Sequence, residues 1–148
     1  MHWNSELFTS FPEAAAQNRG LAVLAVFLDV GPDANPEFEK LTQKIKEIKF
    51  KGESTLLSDP VCLKQFLPQD KCYWTYDGSL TTPPLYESVT WIVLKTPIRV
   101  TAAQVEAFRS ICFHKKNETP AEGDGRITQN FRPTQPLCNR VVVYEDTP

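Results

Sequence analysis

The sequence predicts a mostly β (α+β) fold of short strands, short surface helices and long connections. Apolar stretches of strand length recur at residues 21–28, 72–76, 87–94 and 141–144. Twelve prolines fall largely between them; proline ends helices and is kept to the edges and loops of sheets, which argues against a helical bundle. The 148 residues show no internal repeat, low-complexity tract or domain boundary, so one domain is expected. A hydrophobic share of 41% is enough for a buried core.

The elements follow in order. Ser10-Phe11-Pro12-Glu13 opens a short helix, with Ser10 as N-cap and Ala14 to Ala16 as good formers. Leu21 to Leu28 is apolar on both faces, as in a strand covered on both sides, and Gly20 and Gly31-Pro32 bound it. Asn35-Pro36 starts a second helix, with proline at its first position. Phe38, Leu41, Ile45 and Ile48 form its apolar stripe; Lys40, Lys44, Glu47 and Lys51 form a solvated face, and Gly52 ends it. Cys72 to Tyr76 reads as a strand. Glu87 to Leu94 is another, with Val89, Trp91 and Val93 on one face and Ser88, Thr90, Ile92 and Leu94 on the other. Thr101-Ala102-Ala103-Gln104 is a capping box, and Val105, Phe108 and Cys112 line one side of the helix it starts. Residues 114–126 read as an exposed loop that includes His114, and Val141 to Tyr144 as the last strand.

Several function classes are excluded by composition. Net charge is −2 and the sequence pI is about 5.7, which gives no electrostatic case for nucleic acid or an anionic membrane. The longest apolar run, residues 21–28, is far short of the roughly 20 residues that span a bilayer. Residues 1–10 do not have the make-up of a signal peptide. Cys62, Cys72, Cys112 and Cys138 form no C-x-x-C pair, so a cysteine zinc site is not expected. Without export they read as free buried thiols. Asn117-Glu118-Thr119 fits the N-glycosylation pattern, which has meaning only in an exported chain.

The chemistry concentrates in Tyr73-Trp74-Thr75-Tyr76-Asp77-Gly78-Ser79-Leu80-Thr81-Thr82-Pro83-Pro84. Paired prolines force an extended backbone and lower the penalty of a cis bond between them, so Thr81 and Thr82 stand on a stiff platform. Such a loop is either a rigid turn with capped strand ends or a site where hydroxyls and backbone N–H groups meet a small anion.

This segment, with Glu87-Ser88-Val89-Thr90-Trp91-Ile92-Val93 after it, resembles the α-carbonic anhydrase signature around the floor of the active site. Three further segments match in order: Met1-His2-Trp3-Asn4 (V-H-W-N in the family), Gly20 to Leu28 (G-L-A-V-L-G-I-F-L) and Asn130-Phe131-Arg132-Pro133-Thr134-Gln135-Pro136-Leu137 (N-x-R-P-x-Q-P-L). The resemblance implies a large, twisted, mainly antiparallel sheet with short surface helices. Residues 1–148 would be the C-terminal part of that domain, incomplete on its N-terminal side. A strand like Leu21 to Leu28, left partly uncovered, would then fold poorly alone and expose edges that invite aggregation.

The family hydrates carbon dioxide reversibly to bicarbonate, a lyase reaction, on a zinc held by three histidines that lowers the pKa of bound water. Aligned on H-W-N, His2 takes a position that is not a zinc ligand. The ligands, the acidic residue orienting one of them, the glutamate partnering the first threonine and the proton-shuttle histidine would all lie upstream. His2 and His114 are the only histidines, so no metal ligand and no zinc is expected of this chain, and His2 reads as a hydrogen-bonded structural residue. By resemblance Thr81 is the catalytic residue, accepting a hydrogen bond from the nucleophilic hydroxide and binding a bicarbonate oxygen through its N–H. Thr82 lines the anion site. Met1, Leu21, Val23, Leu80, Val89 and Trp91 match the apolar wall that holds carbon dioxide, with Met1 larger than the family's usual valine. Leu85 stands where secreted members often carry a cysteine, which implies an intracellular, cytoplasmic protein. The implied partner is the small-molecule substrate, with no nucleic acid and no membrane. The other reading is a non-catalytic, carbonic anhydrase-related interaction module whose protein partner the sequence does not identify.

Overall fold

The computed structural model describes residues 1–146. Two compact units are present: Met1–Phe27 with Pro68–Pro97 and the chain from Phe131 onward, and Leu28–Leu67 with Ile98–Asn130.

The first unit is built on a five-stranded sheet in the order β1 (His2–Trp3), β2 (Leu21–Ala25), β5 (Val89–Leu94), β4 (Tyr73–Gly78), β7 (Val143–Glu145). β2 and β5 run parallel, from Leu21 beside Val89 to Ala25 beside Val93. The other pairings of this sheet are antiparallel. A parallel pair needs a long crossover, and the whole stretch between these two strands supplies it. Helix α1 (Phe11–Ala15) is capped as expected, Ser10 Oγ accepting from the Glu13 N–H. Ala14, Ala15, Leu21 and Val89 form the buried centre, with Trp3, Phe8, Val23, Leu80 and Trp91 packed around it. Gly20 is required here: a Cβ on it would stand 1.7 Å from the Ala14 carbonyl oxygen.

Leu21 to Leu28 is not one strand. It breaks after Ala25, and Leu28 begins β3 (Leu28–Val30), which pairs in parallel with β6 (Ile98–Val100) in the second unit. Nor is it covered on both sides: Leu21 is 2% exposed, but Leu24 is 39% and Phe27 51% exposed. β1 reaches only Leu21 and Ala22, so residues 23–25 pair on the β5 side alone among the described residues.

In the second unit, helix α2 (Pro36–Ile45) is capped by Asn35, whose Oδ1 accepts from the N–H groups of Glu37 and Phe38. It ends seven residues before Gly52, residues 46–47 form a turn, and Ile48 follows that turn outside the helix, its N–H donating to the Ile45 carbonyl at 3.1 Å. Lys40 and Lys44 are half-buried, held by Glu37 and Glu47 at 2.8 Å each. Phe38 meets Phe66 of the 3-10 turn Leu63–Phe66 and Phe108 of α3 (Ala102–Arg109) edge to face. The capping box of α3 is formed, but Cys112 lies beyond the helix and Phe108 is 38% exposed. The buried residue is Gln104, 2% exposed. Its Oε1 accepts from the N–H groups of Thr101 (3.1 Å) and Asn35 (3.0 Å), and its Nε2 donates to the Asn35 carbonyl at 2.7 Å. One amide thus ties the starts of two helices together.

His114 is half-buried rather than exposed, its ring edge-on to Phe50 and Phe113 and covering Gly125. His2 is exposed on the edge strand, and its ring makes no hydrogen bond among the described residues, because nothing described lies on its outer side. None of the four cysteines is in a disulfide, but Cys72 alone is buried. Cys62 and Cys138 lie in irregular exposed segments, and Cys112 is half-buried.

Candidate functional site

Residues 79–88 join β4 to β5 and carry the Thr-Thr-Pro-Pro platform. Two backbone bonds close the loop on itself, Leu80 N–H to the Tyr86 carbonyl at 2.9 Å and Leu85 N–H to the Thr82 carbonyl at 3.0 Å. The Pro83-Pro84 bond is cis, as the sequence predicts, and Leu85 takes a left-handed φ of 61°. Thr81 and Thr82 stand exposed at the tip, and their hydroxyls engage no described residue. Ser88 closes the loop from below. Its carbonyl accepts from Leu21 N–H at 3.0 Å, and its buried hydroxyl has no partner among the described residues.

The apolar residues and the threonines fall on different levels. Leu21, Val23, Leu80, Val89 and Trp91 are brought together in one cluster. Leu21 and Val89 are each 2% exposed, so they are interior, while Val23, Leu80 and Trp91 keep partial access. Met1 is 62% exposed and outside the cluster. Thr81 and Trp91 line a cavity of about 360 Å³ at the end of β4; Thr82 does not. Trp91 Nε1 donates to the Ser79 carbonyl at 3.1 Å, which fixes the indole under the loop. Gly78 allows it to lie there, since a Cβ would stand 2.8 Å from the Trp91 ring.

Two arginines that the residue pattern does not single out complete the floor. Arg132 Nη1 donates to Ser79 Oγ at 2.6 Å and to the Leu80 carbonyl at 3.2 Å. Arg140 donates to the carbonyls of Leu137, Asp77 and Pro136. Only the Pro136 carbonyl, one of the three acceptors of Arg140, ties either arginine to a proline, so the local pattern carries no signal for Arg132. Asp77 pairs with Arg19 at 3.1 Å on the open surface, a contact worth under about 1 kcal/mol.

At the other end of β4 lies a second polar cluster. The Cys72 thiol donates to Asp146 Oδ1 at 2.8 Å, the Cys72 N–H donates to Asp70 Oδ1 at 2.9 Å, and the Thr96 hydroxyl donates to Asp70 Oδ2 at 2.7 Å. Hydrogen bonding with the Cys72 side chain and its N–H, then with Thr96, pulls the Asp70 carboxyl from 3.8 to about 2. The Tyr144 phenol is raised, chiefly by hydrogen bonding with Cys72, and the Lys95 ammonium, 3.3 Å from it, is raised by that contact.

Metal-ligating side chains do not converge. Among the described residues no group of three or more His, Cys, Asp or Glu could hold a metal ion. No helix among them is long and apolar enough to cross a membrane.

The family model for eukaryotic-type carbonic anhydrase matches residues 1–146. The chain is 49% identical to carbonic anhydrase 7 of Mus musculus over 146 residues, 96% of this chain and 52% of that protein. It is 46% identical to carbonic anhydrase 5B, mitochondrial, of the same species, covering 43% of it. It is 39% identical to the carbonic anhydrase-related protein of Homo sapiens, covering 49% of it. The chain thus spans about half the length of the curated relatives it matches.

Proposed function

This chain belongs to the eukaryotic-type carbonic anhydrase family, and from that premise we propose that residues 1–148 are a C-terminal part of such a domain, carrying its substrate side without its metal side. In this reading Thr81 and Thr82 meet the bicarbonate oxygens. Leu21, Val23, Leu80, Val89 and Trp91 supply the apolar surroundings that carbon dioxide needs, since a nonpolar gas offers no strong polar contact. Trp91 lines the same cavity as Thr81, and the other four pack with it in one cluster, which supports the assignment.

One observation carries the functional conclusion: the chain has two histidines, and its donor set does not fit a three-histidine zinc site. By itself it binds no catalytic zinc and hydrates no carbon dioxide above background. A threonine hydroxyl orients a nucleophile but does not generate hydroxide at neutral pH, and an apolar surface that merely concentrates substrate adds nothing to the chemical step. Stopped-flow carbon dioxide hydration with added zinc, beside metal analysis of the purified chain, tests this. One equivalent of tightly bound zinc with inhibitor-sensitive turnover would overturn it.

A second reading, a non-catalytic interaction module, is favoured by the 39% identity to a relative whose name says carbonic anhydrase-related. The two readings separate on a longer transcript. Three ligand histidines upstream point to an enzyme, and substitutions there point to a binding module. A cytoplasmic location belongs to the first reading; one relative carries a mitochondrial name, and cell fractionation distinguishes the two compartments.

A further inference from the structure

The cavity under the Thr81 loop has two guanidinium groups in its lining and no carboxylate. Arg132 spends one of its three nitrogens on Ser79 and Leu80, so Nε and Nη2 have no acceptor among the described residues. Arg140 is held entirely by backbone carbonyls. Neither forms an ion pair among the described residues, and Asp77 borders Arg140 only in a separate cavity that it shares with Arg19. The nearest acidic residue in sequence to their anchor points, Asp77, is not in the lining and is engaged by Arg19. The anchor carbonyls of Asp77 and Leu80 are three residues apart, roughly 10 Å in extended backbone, so the two charges act on one small volume.

The rest of the lining gives that charge a context. The hydroxyls of Tyr76 and Thr81 make no hydrogen bond among the described residues and remain available as donors. Trp91 and Leu137 supply an apolar surface. A volume of about 360 Å³ is far more than a four-atom anion fills, given about 30 Å³ for one water in the liquid. The geometry points to a binding site for a small organic carboxylate, its carboxylate on Arg132 and its hydrocarbon body against Trp91 and Leu137. A planar carboxylate suits the paired N–H donors of Arg132 that are left over. The net charge of −2 on the chain does not produce this attraction, which is local. The site needs no metal and does not rest on the carbonic anhydrase reading.

The test is calorimetric titration of the whole chain with phenylacetate, 2-phenylethanol and bicarbonate. Phenylacetate is expected to bind at least tenfold tighter than the neutral alcohol, and bicarbonate at the same concentration is expected not to displace it. R132Q is expected to weaken phenylacetate at least tenfold. Because Arg132 also holds Ser79 and Leu80, L137W is the second variant: it fills the cavity, keeps both arginines and should abolish binding. Where R132Q fails to fold, L137W decides. Equal binding of the alcohol, displacement by bicarbonate, or full affinity in L137W would each overturn the proposal.

Discussion

Val89 and Thr82 are seven residues apart, yet one is 2% exposed and the other stands in solvent. The same contrast separates Leu21 from Thr81. Leu21 and Val89 each pair with strands on both sides and pack with Ala14 and Ala15 of α1, so their environment is set by packing. The tip of the loop is fixed by backbone bonds, and the hydroxyls of Thr81 and Thr82 engage no described residue. Side chains of the first kind determine whether the unit forms; side chains of the second kind are available to a ligand. Substitutions at the two levels should therefore have opposite signatures, and that is how the division can be broken.

The largest effect is expected at the seam between α1 and β2. Gly20→Ala puts a Cβ 1.7 Å from the Ala14 carbonyl oxygen, which is backbone and cannot rotate away. Loss of the folded first unit is expected, read as lost amide protection across β2 and β5. A variant with native protection there would show that α1 is not seated as described. Next is Leu21→Ala, which empties the centre of the cluster. It should cost about 2–5 kcal/mol, the usual range for a buried leucine, read from the urea midpoint. A cost under about 1 kcal/mol, the scale of a surface change, would mean that the wall is open rather than interior.

The second unit supplies an intermediate case. Gln104→Leu keeps the volume but leaves both backbone groups of Asn35 and the Thr101 N–H without their partner. A cost of about 1–3 kcal/mol is expected for such buried unsatisfied groups, with melting of the start of α3 visible by exchange. This residue also shows where the sequence stops being informative. The T-x-x-Q pattern announces a capping box, and the box is present. It does not announce that the glutamine is also the link to α2, because that depends on a neighbour 69 residues away. The same limit explains the break in Leu21 to Leu28. An unbroken apolar run reads as one strand, but whether its far half is paired depends on which strands lie beside it. The cis bond between Pro83 and Pro84 was legible because paired prolines lower its penalty and the family resemblance points to the same loop. Arg132 and Arg140 were not, since Arg132 is anchored on Ser79 and Leu80 and Arg140 partly on Asp77, all more than fifty residues away.

A smaller effect, confined to acid, is expected at Asp70. Its carboxyl is pulled down to about 2 in the folded chain, against an ordinary 3.8. A depressed carboxylate stabilises the fold fully above its unfolded pKa and loses that contribution as pH falls through the folded one. The advantage of the parent over D70N should be constant near neutrality, shrink below pH 3.8 and vanish near pH 2. A difference that persists unchanged at pH 2 would assign the effect to packing rather than to charge.

The smallest effect on stability should come from Thr81→Ala, and its smallness is what makes it informative. The hydroxyl is exposed and has no described partner, and the loop is closed by backbone bonds that alanine keeps. The change should stay within about 0.5 kcal/mol, as for surface substitutions away from special features. A larger loss would mean that the hydroxyl braces the cis-proline turn, and the two threonines would then belong to the structural level with Leu21 and Val89. A near-zero loss in T81A, beside a loss of several kcal/mol in L21A, about what a buried leucine carries, would separate the levels cleanly. It would leave the Thr81 hydroxyl as a group whose presence folding does not explain.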